Sequence, residues 1–199
     1  METIAKIVCR AGVVADTHVP DRVRALHPAL LPGLKAAGVE IILHAGDICA
    51  PWVLDELAAV APVRAVLGNR DILLRDKLPL VDLINLGGVP VALMHGHGGF
   101  WHYWRDKIKY IMEGYKFSRY HKLLLTTLPQ ARVVVFGHTH RAENHWMEDK
   151  LLFNPGTASG GTYQRFPATY GLLTIYEGGS VKGEIIWLDG EEEADNQIK

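Results

Sequence analysis

A chain of 199 residues, 48% hydrophobic and 22% charged, fits one globular domain and excludes the disordered and collagen-like classes. Its formal net charge of −1 supplies no global field that would draw nucleic acid or an anionic membrane. Two cysteines, Cys9 and Cys49, exclude a disulfide scaffold and predict free thiols in a reducing cytoplasm.

In chain order, residues 12–15 predict a buried strand. Residues 27–37 predict a helix, with Leu30, Leu31 and Leu34 at helical spacing and Gly38 as its stop. Strands over 39–44 and 63–67 flank a helix over 51–60, whose Pro51 sits where a missing N–H costs little. Residues 82–86 and 89–94 flank Gly87-Gly88, a hairpin signal. A further strand is expected over 132–136. Residues 143–188 read as strand-rich, with turns at 148–149, 160–161 and 178–179. The acidic tail 190–199 is expected to fray. No basic stretch precedes a long apolar region at the N-terminus, and no apolar run approaches ~20 residues. Neither a signal peptide nor a membrane span is expected. The alternation β-α-β-α-β followed by strands predicts stacked sheets covered by helices, in a single domain over 1–199.

The polar residues fall in small clusters, each at the end of an apolar strand: Asp16-Thr17-His18, Gly46-Asp47, Gly68-Asn69-Arg70-Asp71, His95-Gly96-His97 and Gly137-His138-Thr139-His140. Ligand sites of open α/β sheets lie beyond the carboxyl ends of strands, so five such clusters on one rim make one site. Residues i and i+2 of an extended segment point the same way, which lets Asp16 and His18 ligate one metal. His138 and His140 can do the same, or reach two adjacent metals. Asp and Asn beside Gly are ordinary turn formers one by one. It is the set of five that points to a metal site.

Imidazole with carboxylate suits Mn, Fe, Zn, Co or Ni better than Ca or Mg, which prefer oxygen shells. Seven ligands (Asp16, His18, Asp47, Asn69, His95, His138 and His140) match two divalent ions sharing a bridge, with Mn the first choice. A carboxylate can bridge and a neutral imidazole cannot, so Asp47 is the bridging candidate.

In their order, these clusters resemble the signature of the calcineurin-like metallophosphoesterases. The short length and the His-Gly-His form of the fourth cluster are similar to the small bacterial and archaeal phosphodiesterase branch, which includes a retromer relative. The likeness runs from about Val13 to Thr157, ending in an Asn154-Pro155-Gly156-Thr157 turn of the kind that branch has. The resemblance implies an α/β four-layer sandwich, with two mixed β-sheets flanked by α-helices. It implies that Asp16, His18 and His140 hold one metal, that Asn69, His95 and His138 hold the other, and that Asp47 bridges. It also implies phosphodiester hydrolysis by attack of a metal-bridging hydroxide. Two divalent ions bring four positive charges and the two carboxylates return two, so the centre attracts an anionic phosphate.

Asp47, Asn69, Arg70 and His97 are the expected catalytic residues. Many members of the wider family have His where this chain has Arg70. Arg is a poor general acid but can hold a phosphate oxygen with two donors; the other reading is a surface Arg paired with Asp71. This favours phosphodiesters, or leaving groups that need no proton. His97 can contact substrate or orient His95. The helical insertion at 98–127 combines Trp101, Tyr103 and Trp104 with a basic excess. It reads as an amphipathic helix pair packed on the domain, as a cap for a nucleotide-like phosphoester, or as a homo-oligomer contact. The alternatives to a phosphodiesterase are a non-catalytic interaction scaffold, a nucleotide phosphomonoesterase, and a nuclease, to which the overall charge gives little support. The expected partner is a small phosphoester, with no membrane and no nucleic acid.

Overall fold

The computed structural model describes residues 5–96, 129–160 and 166–190. His97, the insertion at 98–127, residue 161 of one expected turn and the tail beyond 190 lie outside the described residues. The chain forms two mixed five-stranded sheets. The first has the order β10-β9-β1-β2-β3, from strands β1 (Ile7–Val14), β2 (Ile41–His44), β3 (Val63–Ala65), β9 (Thr169–Tyr176) and β10 (Val181–Trp187). The second has the order β4-β5-β6-β8-β7, from β4 (Val81–Leu86), β5 (Val89–Met94), β6 (Val133–Val135), β7 (Ala142–Met147) and β8 (Lys150–Pro155). In each sheet three consecutive strands run parallel, β1-β2-β3 and β5-β6-β8, and the remaining strands pair antiparallel.

The strand period of two decides which residues make which layer. Ala11, Val13 and Leu43 of the first sheet face Val91, Leu93, Val133, Val135, Leu151 and Phe153 of the second, forming the core between the sheets. The alternate residues Val14, Ile42, Tyr170 and Leu172 face outward and pack on helices α1 (Leu30–Ala36) and α2 (Trp52–Ala58) through Leu30, Leu34, Val53 and Leu57. The opposite face of the second sheet carries a third buried cluster of Ala92, Met94, Val134, Phe136 and Leu152. This is the expected sandwich of two mixed sheets with helices packed on it.

Several boundaries moved. β1 begins at Ile7, five residues before the expected strand, and its first half pairs with β9. Ile7 and Val8 stay exposed there, so no core pattern announces them. Helix α1 starts at Leu30 and not at 27, because the His27 ring accepts the Ala29 N–H at 3.3 Å and forms the turn that precedes it. The turn at 148–149 is present with Glu148 at φ 57°, and Gly178-Gly179 turns β9 into β10.

Candidate metal centre

All five polar clusters directly follow parallel strands: Asp16 and His18 follow β1, Asp47 follows β2, Asn69 follows β3, His95 follows β5, and His138 and His140 follow β6. Bonds between side chains and backbone bind the two sheets together at this edge. Asp16 Oδ2 accepts the His138 N–H at 2.9 Å, and the His95 ring bonds the Ala45 carbonyl at 2.7 Å. In the second of these bonds Nδ1 donates, which turns Nε2 toward the site as the nitrogen that could ligate.

The seven predicted residues meet in two adjoining groups. His18 Nε2 and His140 Nε2 are 3.1 Å apart, and Asp16 Oδ1 is 3.3 Å from His140 Nε2 and 3.8 Å from His18 Nε2. In the other group Asn69 Oδ1 is 3.1 Å from both His95 Nε2 and His138 Nδ1. Asp47 faces both groups, with Oδ1 at 3.4 Å from His95 Nε2 and Oδ2 at 3.8 Å from His18 Nε2. Two metal–nitrogen bonds of about 2.0–2.1 Å at a tetrahedral angle put their nitrogens roughly 3.4 Å apart, and these spacings bracket that value. Asp16 Oδ1 is buried and, among the described residues, has no hydrogen-bond partner, only the ionic contact with His140 Nε2 at 3.3 Å. A buried carboxylate oxygen without a partner is costly in a folded protein, and a cation at this spot would satisfy it. The donor set and the orphaned oxygen therefore fit a metal centre.

The sequence argument from extended i, i+2 pairs needs correction. Asp16/His18 and His138/His140 do not lie in extended backbone. Asp16, His18, Asp47, Cys49, His138 and His140 all have positive φ, between 51° and 74°. Among the described non-glycine residues only Glu148 shares this conformation. Each such residue costs on the order of 1 kcal/mol, and the strain is concentrated at the ligand loops. Side chains converge because the left-handed residues curl each loop inward.

Four buried residues that the sequence reading did not assign to the site hold these loops. Asp71 accepts the backbone N–H groups of Asp47 at 3.0 Å, Gly68 at 2.7 Å and Cys49 at 2.7 Å. It therefore does not pair with Arg70, whose Nε donates to Asp21 Oδ2 at 2.6 Å. His44, fully buried at the end of β2, accepts the Gly46 N–H at Nδ1 at 3.2 Å, so its Nε2–H donates to Thr17 Oγ1, also at 3.2 Å. Asn154 donates to the Gly137 carbonyl at 3.0 Å and to Thr139 Oγ1 at 3.1 Å, and Thr157 Oγ1 donates to the Asp16 carbonyl at 2.8 Å. A polar His44 closing an otherwise apolar strand, and the Asn154-Pro155-Gly156-Thr157 turn, were the visible signals of this support.

Two glycines are dictated by close approach. A Cβ on Gly46, at φ 88°, would stand 2.8 Å from His95 Nδ1, and one on Gly68 would stand 2.1 Å from the Asp47 nitrogen. Burial pushes the His18 pKa down to about 3, against the pull of Asp16, so His18 keeps the neutral ring that ligates metals. Burial pushes Asp47 up to about 6, with the Asp16 and Asp71 charges adding to it and His95 opposing. For Asp16 burial acts upward, but the imidazoles of His140, His95 and His18 outweigh it and hold the carboxyl below its ordinary value. The cluster is short of positive charge, and cations bound there would reverse the Asp47 shift.

The calcineurin-like phosphoesterase superfamily domain matches residues 10–178. The chain belongs to this superfamily. Superfamily membership is supported by 33% identity over 175 residues to a probable metallophosphoesterase of Methanothermobacter thermautotrophicus, covering 88% of this chain and 90% of that one. Among solved structures, Vacuolar Protein Sorting 29 from Cryptosporidium parvum is similar at a TM-score of 0.69 and 18% identity, covering 92% of this chain and all (100%) of that one. A novel archaeal phosphodiesterase is similar at a TM-score of 0.55 and 20% identity, covering 89% of this chain and 99% of that one. Both structures share the superfamily fold. No described helix is long and apolar enough to cross a membrane.

Proposed function

We propose that the chain is a binuclear metal-dependent phosphodiesterase, with Asp16, His18 and His140 holding one divalent ion, Asn69, His95 and His138 the other, and Asp47 shared. The observation that carries this reading is the Asp47 carboxylate, which offers one oxygen to each group of ligands. Two such ions would supply an activated water and neutralise the phosphoryl oxygens. The chain's own residues position and compensate. Asp16 and Asp47 balance cationic charge, the His95–Ala45 bond orients one ring, and Asp71 fixes the backbone of Asp47.

Arg70 stands next to Asn69, and its backbone N–H donates to Asp47 Oδ1 at 2.9 Å. Its guanidinium is tied through Nε to Asp21, which leaves the two terminal nitrogens for a phosphate oxygen. No imidazole occupies this position to protonate a leaving group. A diester carries one negative charge fewer than a monoester dianion, so the reading favours phosphodiesters, and the diesterase name of one fold relative agrees with that choice. The scaffold alternative has the likeness in fold to Vacuolar Protein Sorting 29 in its favour, but all seven ligand positions here carry ligating residue types.

The test is a panel of diesters, monoesters and nucleotides after reloading with Mn, together with elemental analysis. Near two equivalents of Mn, and turnover that Asp47→Asn abolishes, are expected. A saturating stoichiometry of one, or an Asp47→Asn variant with most of its activity, would overturn the binuclear reading.

A further inference from the structure

Cys49 has no part in the function proposed above, yet it occupies the third place of a curled triplet, Asp47-Ile48-Cys49. His18 and His140 occupy the same place in theirs, and all three have positive φ. Cys49 Sγ lies 3.9 Å from His18 Nδ1, on the far side of the ring from the Nε2 that faces His140. One donor atom each from His18, Asp21 and Cys49 lie within 4.8 Å of one another. Cys49 is half-buried and Asp21 is exposed, so an ion can reach them from solvent.

We propose that Cys49, Asp21 and His18 Nδ1 form a separate site for a thiophilic cation such as Zn2+ or Cd2+, and that filling it withdraws His18 from the metal centre. Sulfur, imidazole and carboxylate are the donors of open zinc-type sites. Arg70 takes one oxygen of Asp21 and brings a positive charge close by, leaving the other oxygen for the ion. A hard ion gains too little there to offset that repulsion. A soft ion gains the sulfur bond, so the site discriminates against Mn2+ and Mg2+.

The exclusion follows from the imidazole. A neutral ring lends one lone pair and carries its hydrogen on the other nitrogen. When Nδ1 binds the soft ion, the ring hydrogen resides on Nε2 and points into the centre, where it cannot ligate. Cys49 gives its S–H proton to solvent as the sulfur–metal bond forms. This exclusion step rests on the proposed metal centre; the binding step does not.

The experiment titrates Cd2+ into the full chain carrying Cys9→Ser, which leaves Cys49 as the sole thiol. It reads the ultraviolet cadmium–thiolate absorption. The band is expected with Cys9→Ser and absent when Cys49→Ser is added, and Asp21→Asn should weaken Cd2+ binding by roughly 10–100-fold, the cost of a lost metal-site partner. A second arm follows Cd2+ inhibition of the Mn-loaded protein, where Cys49→Ser should raise the inhibiting concentration by a similar factor. No band in the Cys9→Ser protein would overturn the site, and inhibition unchanged by Cys49→Ser would overturn the withdrawal of His18. If the chain hydrolyses no phosphoester, the function proposed above fails, and the absorption arm still decides this one.

Discussion

Asp71 Oδ2 accepts the backbone N–H of Asp47 at 3.0 Å, although 24 residues separate them. The same oxygen takes Gly68 and the other oxygen takes Cys49, so one buried carboxylate joins the loops after β2 and β3. Asp71→Ala strands three N–H groups at about 1–3 kcal/mol each, though such costs do not add fully. A loss of about 3 kcal/mol in chemical denaturation is expected, with Mn binding lost as well. Asp71→Asn keeps one oxygen for Asp47 and Gly68 and should lose less. An Asp71→Ala protein of wild-type stability would show that water replaces the carboxylate.

Gly68→Ala tests close approach and not chain flexibility. Its Cβ would meet the Asp47 nitrogen at 2.1 Å, Oδ1 at 2.2 Å and Cα at 2.8 Å, and two of these atoms are backbone that no rotamer change can clear. Asp47 must move. The variant should keep its circular dichroism but bind Mn weakly, and calorimetry with unchanged Mn affinity would refute the claim that moving Asp47 spoils the metal centre.

His44 sets a pH dependence for the metal-free protein. Burial pushes its pKa down to about 4 from an ordinary 6.5. The unfolded chain therefore binds the extra proton between those values, and stability falls as pH drops from about 6.5 to about 4. The contribution is on the order of 3 kcal/mol. Asp47, pushed up to about 6, works in the opposite direction over part of this range. The difference between wild type and His44→Gln isolates the histidine. Denaturation curves at pH 7 and pH 4.5 should show the wild type losing more stability on acidification than the variant. Equal losses would mean that His44 is protonated in the fold.

Arg70→His places an imidazole where the wild type has none. Turnover of poor leaving groups should improve relative to good ones. The comparison is kcat/KM on nitrophenyl diesters and alkyl monoesters for both proteins. A wild type that strongly prefers alkyl monoesters would show that another group already supplies the proton.

Local signals in the sequence carried the alternation of strands and helices, and all seven candidate ligands, because each followed an apolar run that any strand would need. They did not carry the supports. Asp71 reaches Cys49 across 22 residues, Arg70 reaches Asp21 across 49, and Thr157 reaches Asp16 across 141. A carboxylate that serves backbone N–H groups looks in sequence like any turn residue. The conformation of the ligand loops was hidden for a related reason. Asp16 and His18 have no glycine between them, and their left-handed backbone is imposed by bonds to Gly46 and Asp47 on the neighbouring strand's loop.

The bond from the His95 ring to Ala45 and the bond from His138 to Asp16 each join one sheet to the other. An ion gripped by residues of both sheets would act as a rivet between two halves that otherwise adhere through apolar side chains and a few polar bonds at the rims. Chelation would then loosen the seam between the sheets while sparing the strands within each. Amide exchange before and after metal removal would trace that seam as a line of newly exchanging sites at the strand ends, with the strand centres still protected.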